Sequence, residues 1–278
     1  NLSSYGVSKN IFQKIISNVN RLIKLRIEIK RRQPRILISF LTTANILTLI
    51  STIGLKKKII INERNDFTKK KLHYIWKILR IIFYRFAKKI IINIPNIKKN
   101  FFFTNSNKTI FIPNPSTFTF SKKRTKKEKI ILTIARLTHQ KNIEILIKSF
   151  SKSIAFKKKW KLIIIGDGEE KKKLYELSKK LNVFKSIIFM KKIRKIDIWY
   201  KKASIFILPS RYEGMPNVII EAMQSKTAII GSNILGIKYF IKNKLNGIIF
   251  KNNDENSLIK MINLLVNNSK LRDKLAQN

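Results

Sequence analysis

The chain has 278 residues, 44% of them hydrophobic and 10% aromatic, which is enough for two domains with real cores and excludes a disordered protein. It has no cysteine, so disulfides and thiolate-bound metals are excluded, in keeping with a reducing cytoplasm. Lys and Arg number 60 against 15 Asp and Glu, a formal charge of +45, with two readings: a surface drawn to anionic membrane or nucleic acid, or the Lys, Ile and Asn bias expected of an AT-rich genome.

In chain order, a basic helix is predicted over 11–31, a strand over 35–40, a turn at Thr42, Thr43, Ala44 and Asn45, and a buried helix over 45–53. The uncharged stretch 36–55 has the length of a membrane span. However, Ser39, Thr42, Thr43, Asn45, Thr48, Ser51, Thr52 and Gly54 make it too polar, and strand, turn and helix explain it better. A strand over 58–62, a loop over 63–66, a helix over 72–87 and strands over 89–94 and 109–112 follow. Pro113, Asn114 and Pro115 then stop regular structure. The polar, patternless stretch 116–129 places the domain boundary there, giving domains 1–116 and 117–278.

After it the alternation restarts. Strands are predicted over 130–135, 161–165, 186–190, 204–208, 227–231 and 247–250, with helices over 143–154, 170–181, 196–202, 218–224, 237–241 and 255–266. Short apolar runs alternating with helical periods predict α/β architecture with doubly wound parallel sheets. No solenoid repeat interrupts the pattern.

Two carboxylates stand out in so basic a chain: Glu213 and Glu221, eight apart around Gly214, Met215, Pro216 and Asn217. The preceding apolar run reads as a buried strand, and Asn217 as the cap of a helix over 218–224. That puts Glu213 on the loop beyond the strand's carboxyl end and Glu221 one turn into the helix, where open α/β sheets bind nucleotides. Arg136 and Lys141 lie in a second strand-to-helix loop, and a forked guanidinium with a point-charge ammonium suits a diphosphate. Gly166, Asp167, Gly168 and Glu169 fail as a dinucleotide fingerprint and read as a structural turn. His73 and His139, the two histidines, read as surface groups, and no hydrolytic triad or metal-ligand cluster can be assembled.

The passage from Glu213 to Glu221 resembles the paired-glutamate signature of the large retaining group 1 (GT4) glycosyltransferases. Arg136, Leu137 and Lys141 resemble that family's phosphate loop, with Ala135 and Asn142 replacing its glycines; Pro113 to Pro115 resemble its hinge, and Gly236, Asn246 and Gly247 match late positions. Stretches 38–45 and 62–66 look like acceptor-side elements. The resemblance implies a GT-B fold: two Rossmann-like domains with a donor and acceptor cleft between them. It gives Glu213 contacts with the transferred sugar, Glu221 the ribose hydroxyls, and Arg136 and Lys141 the donor diphosphate. Backbone N–H groups of Gly214, Met215, Pro216 and Asn217 (save the proline's) are expected to hold sugar or phosphate. Two departures matter: Lys191 stands where the family has glycine beside the base, and the Arg64 loop lacks the family's histidine.

The implied reaction is retaining transfer of a hexose or N-acetylhexosamine from a nucleotide-sugar, UDP-linked as first choice and GDP-mannose second. The expected acceptor is a lipid-linked or polysaccharide hydroxyl in bacterial surface glycan synthesis. No cofactor or metal is expected, and no nucleic acid. A cytoplasmic place, peripheral on the anionic inner face of the plasma membrane, fits the basic surface. The chain is expected to be a fragment whose opening strand and closing helix lie beyond its ends. The rival readings are a nucleotide-sugar epimerase of the same shape and a basic nucleic-acid-binding protein.

Overall fold

The computed structural model describes residues 11–64, 73–93, 98, 101–115, 126–191, 193 and 195–278. Parts of the predicted 63–66 loop, 72–87 helix, 89–94 strand and 116–129 linker lie outside them. The chain divides into two compact units, Asn1–Pro113 and Asn114–Asn278.

The first unit runs α1 (Ile11–Arg32), β1 (Ile36–Phe40), α2 (Thr42–Ser51), β2 (Lys58–Glu63), α3 (Tyr74–Phe83), a 3-10 turn (Tyr84–Phe86), β3 (Lys89–Ile92) and β4 (Thr109–Phe111). The strands form one parallel sheet in that order, with Ile38 opposite Ile60 and Ile91 opposite Ile110. Isoleucine dominates because its β-branched side chain suits a pleated surface. Ile46 and Leu49 of α2 pack on Ile59, Ile61, Ile90 and Ile92, with Tyr84 fully buried among them. The predicted turn at 42–45 is corrected. α2 begins at Thr42 because Leu41, at φ 76°, makes the sharp bend alone, and Asn45 is buried within the helix. No helix among the described residues is long and apolar enough to cross a membrane.

The second unit runs β5 (Glu128–Ile134), α4 (Ile143–Lys152), α5 (Ile154–Lys157), β6 (Lys161–Ile165), α6 (Lys171–Lys180), β7 (Ile187–Met190), α7 (Asp197–Lys202) and β8 (Ala203–Leu208). It continues through α8 (Asn217–Gln224), β9 (Ala228–Ser232), α9 (Leu235–Lys238), β10 (Ile248–Phe250), α10 (Glu255–Asn267) and α11 (Ser269–Gln277). The sheet is parallel with order β10-β9-β8-β5-β6-β7. Cores lie on both faces: Leu146, Phe150, Leu174 and Ile262 on one, and Tyr200, Ile219 and Ile237 on the other. This two-faced burial explains the near-continuous apolar strands. Asp254 caps α10 by accepting from Ser257 N at 2.9 Å, and Asn268 caps α11 by accepting from Leu271 N at 2.8 Å. The sequence reading missed α11, whose short, polar segment resembles a tail.

Strand order fixes where function belongs. From β5 the chain builds outward to β6 and β7, then returns to lay β8 on the other side of β5. The loops that leave β5 and β8 therefore diverge from neighbouring strands at their carboxyl ends, the crevice position of doubly wound sheets.

Candidate functional site

Two loops meet at that crevice: residues 135–142 after β5 and 209–216 after β8. They are stitched together along the backbone. Arg211 N donates to Gln140 O at 2.9 Å, and Gln140 Nε2 donates to Tyr212 O at 2.9 Å. The 135–142 loop rests in turn on the Gly166–Gly168 turn, where Leu137 N donates to Asp167 O and Glu170 N to Leu137 O, both at 2.9 Å. A Cβ on Gly166 would lie 1.9 Å from Ala135 O, and one on Gly168 2.4 Å from Leu137 O. Those glycines serve packing between loops, and Asp167 turns back to accept from Gly168 N at 3.0 Å.

The stitched loops bring two predicted residues together. Lys141 Nζ pairs with Glu213 Oε1, with only 14% and 7% of the two side chains exposed. Ser210 Oγ donates to the same carboxylate oxygen at 2.6 Å. A buried carboxylate is tolerable here because it has both a counter-charge and a hydroxyl donor. Ser210 was missed in sequence, since a serine four residues before a glycine carries no signature of its own. Arg136 is exposed at the start of the same loop and has no ion pair among the described residues. His139 is also exposed.

Gly214, Met215 and Pro216 are buried. Their loop lies against α9 at Gly236, where a Cβ would come 2.1 Å from Gly214 O. Asn114, at the start of the second unit, ties the loop down from another side. Its Nδ2 donates to Met215 O at 3.3 Å and to Asn217 Oδ1 at 2.9 Å, while its backbone N–H donates to Met215 Sδ at 2.9 Å. The predicted cap is corrected: Pro216 precedes the helix, Asn217 is its first residue, and the Asn217 side chain is turned to Asn114. The N-terminal end of α8, with its outward-pointing N–H groups and positive dipole end, faces this loop.

Glu221 lies one turn into α8 and is 8% exposed. Tyr200 of α7 donates its hydroxyl to Glu221 Oε2 at 2.7 Å. Burial pushes the Glu221 carboxyl above its ordinary range, and the Tyr200 hydroxyl opposes this. Burial and the Glu221 carboxylate together push the Tyr200 phenol up, so it remains a donor. Tyr200 was invisible in sequence because it reads as one more core aromatic. Lys191 is exposed beyond β7. No group of three or more His, Cys, Asp and Glu side chains suited to a metal occurs among the described residues.

The first unit has its own buried carboxylate, Glu63, at the carboxyl end of β2. It accepts from the Tyr84 hydroxyl, from Thr42 Oγ1 at 3.1 Å and from Asn45 Nδ2 at 3.4 Å. Burial raises its pKa despite these donors and the nearby Arg80. The network anchors the start of α2 to β2.

Residues 116–278 match the family model described as glycosyl transferases group 1. Among curated proteins, a Campylobacter jejuni enzyme is 28% identical over 275 residues, 96% of this chain and 75% of its own length. Its name describes an alpha-1,4-N-acetyl-D-galactosaminyltransferase acting on a GalNAc-containing diNAcBac-PP-undecaprenol. Among solved structures, a TarM variant from S. aureus, in complex with fondaparinux, alpha-GlcNAc-glycerol and UDP, superposes with a TM-score of 0.80 at 19% identity. That match covers 92% of this chain and 54% of TarM. HepE from Anabaena, in complex with UDP and glucose, gives a TM-score of 0.80 at 14% identity, covering 98% of this chain and 78% of HepE. At these identities the likeness shows the fold, which is that of GT-B proteins. The chain thus spans about half of TarM and three quarters of the Campylobacter enzyme.

Proposed function

This chain belongs to the group 1 glycosyl transferases, and we propose that it transfers a hexose or N-acetylhexosamine, with retention, from a UDP-sugar to a lipid-linked or polysaccharide hydroxyl. The observation that carries the reading is the Lys141–Glu213 pair, held where the loops after β5 and β8 meet. A cation for a diphosphate and a carboxylate for a sugar hydroxyl lie side by side, out of bulk water.

In this reading the nucleoside diphosphate lies across the 135–142 loop, with Arg136 and Lys141 neutralising the charge that develops as the sugar leaves. Glu221 accepts from the ribose hydroxyls, since a carboxylate takes two donors at once. Glu213 accepts from hydroxyls of the transferred sugar, and N–H groups at the start of α8 meet the adjacent oxygens. The side chains described supply binding and charge but no evident covalent nucleophile, which agrees with displacement from the face the leaving group vacates. These residues hold the donor without calling on a metal.

UDP is the first choice of nucleotide because relatives of the same fold were solved with it. A bacterial lipid-linked acceptor is favoured by the Campylobacter relative's name. Peripheral attachment to an anionic membrane fits the first unit. Residues 1–113 hold three acids: Glu63 is buried, Glu28 is paired with Arg31 and Arg32, and Asp66 lies outside the described residues. The outer face of α3 exposes Ile75, Ile78, Ile81 and Ile82 beside Lys77, and Arg85 and Lys88 follow. Apolar residues fringed by cations suit a lipid surface.

Calorimetric titration with UDP, GDP, UDP-glucose, UDP-N-acetylgalactosamine and GDP-mannose tests the donor. Product analysis with and without an undecaprenyl-diphosphate glycan tests the transfer. UDP binding and acceptor-dependent sugar transfer with anomeric retention are expected. Inversion, or conversion of the donor without acceptor, would overturn the reading, the latter in favour of an epimerase.

A further inference from the structure

We propose that Arg211 is a positioning residue for the transfer: its guanidinium sets the place of Lys141 relative to Glu213 without touching the donor. The inference rests on the donor reading above. Its basis is the number and placement of the bonds around one side chain. Arg211 Nε donates to His139 O at 3.2 Å, Nη2 to Asn142 Oδ1 at 2.9 Å and Nη1 to Asn253 Oδ1 at 2.7 Å. Its own N–H donates to Gln140 O at 2.9 Å, and its carbonyl accepts from Asn252 Nδ2 at 3.1 Å.

These partners bracket Lys141. His139 and Gln140 precede it, Asn142 follows it, and all three are bonded to Arg211. Glu213 lies two residues beyond Arg211 on the other loop. Three of the five bonds therefore hold the 139–142 segment that carries Lys141 against Arg211, two of them from the guanidinium, and the other two reach Asn252 and Asn253. Asn142 must hold a left-handed conformation, φ 52° and ψ 40°, at the start of α4, and its side chain is held by both Arg211 and Asn253. Asn tolerates that conformation better than most residues. Asn253 Oδ1 accepts from both Arg211 and Asn142, so the 252–253 turn is tied to both loops.

Arg211 lines a pocket with Asn142, Glu144, Lys148, Asn253 and Glu255, and none of Arg136, Lys141, Glu213 and Glu221 lines it. The guanidinium thus acts through its neighbours. Its three acceptors meet three different guanidinium nitrogens, a spread that the single nitrogen of a lysine does not reproduce.

The test is binding of UDP and of uridine, by calorimetry, to the wild-type chain and to Arg211→Ala, Arg211→Lys, Asn253→Ala and Lys141→Ala, with melting temperatures alongside. Arg211→Ala and Arg211→Lys should each lose about tenfold in UDP affinity, on the scale of one charged hydrogen bond, with uridine affinity unchanged. Asn253→Ala should show a smaller loss of the same kind. Combining Arg211→Ala with Lys141→Ala should add little to either alone, because the two act through one contact. Additive losses, equal losses for UDP and uridine that follow the melting temperature, or rescue by Arg211→Lys would each overturn the positioning role. Should Arg211→Ala fail to fold, Asn253→Ala and Arg211→Lys carry the same comparison. Failure of the wild-type chain to bind UDP would overturn the donor reading and this inference with it, whereas UDP binding with additive losses overturns only the inference.

Discussion

At the residue scale, two buried glutamates differ in what holds them, and each carries a prediction. Glu221 accepts one hydrogen bond, from Tyr200, and burial raises its pKa. If it receives the ribose hydroxyls, Glu221→Ala should weaken UDP binding by ~1–3 kcal/mol, the range for losing a charged hydrogen-bond partner. Tyr200→Phe removes the group that opposes burial, so UDP affinity should begin to fall at a higher pH as the solution is acidified. Calorimetry between pH 5 and 8 checks both. Glu63 is also raised by burial, so the folded state takes up its proton at a higher pH than the unfolded state does. The stability this contributes is complete below the unfolded value of about 4.3, and is lost as pH rises through the folded value. Glu63→Gln keeps the shape without ionising. Its stability relative to wild type should therefore improve as pH rises above about 4.3, read from urea midpoints. A pH-independent difference would show that Glu63 titrates alike in both states.

At the element scale, the site depends on close approach between pieces of backbone. α9 can abut the 209–216 loop only because Gly236 has no side chain; its Cβ would also fall 2.9 Å from Glu213 O. Gly236→Ala must push a backbone carbonyl aside, so a stability loss of about 1–3 kcal/mol is expected, the cost of overpacking. UDP affinity should fall with it, because the displaced loop carries Glu213 and starts α8. A fall in melting temperature with unchanged UDP affinity would separate α9 from the donor site. Asn114 acts on the same loop from the opposite chain direction, through Met215 and Asn217. A side chain that would ordinarily cap its own helix is here engaged by a residue about a hundred positions away.

At the scale of the whole molecule, charge decides behaviour. A formal +45 on 278 residues favours any polyanion, so binding alone would not identify a target. Each basic residue near an anionic surface contributes about 1 kcal/mol, screened beyond a Debye length of about 8–10 Å. Vesicles with phosphatidylglycerol should therefore bind the chain strongly at low salt and weakly above about 0.5 M salt, while neutral vesicles bind it little. If the exposed α3 isoleucines enter the lipid, salt does not screen their apolar share, and Ile78→Ser with Ile82→Ser should reduce the residual high-salt binding. Sedimentation with vesicles measures both effects. Unchanged binding in the double variant would assign attachment to charge alone.

Much of this protein was legible in sequence because it depends on local pattern. Isoleucine runs alternating with helical periods predict two parallel, doubly wound sheets, and the strands form where those runs lie. Glu213 beyond a buried strand, Glu221 on the next helix, and Arg136 and Lys141 beyond another strand follow from the same alternation. What pattern does not contain is proximity. Strand order puts β8 beside β5, and only then do residues 141 and 213 pair and Arg211 reach His139, Asn142 and Asn253. Tyr200 packs in the core and there gives its hydroxyl to Glu221, and Asn217 reads as a cap until Asn114 engages it. Local composition determines which elements form, since burial and backbone geometry act over a few residues. Pairing of distant polar side chains is fixed by the crossover connections, whose lengths and directions no short window records.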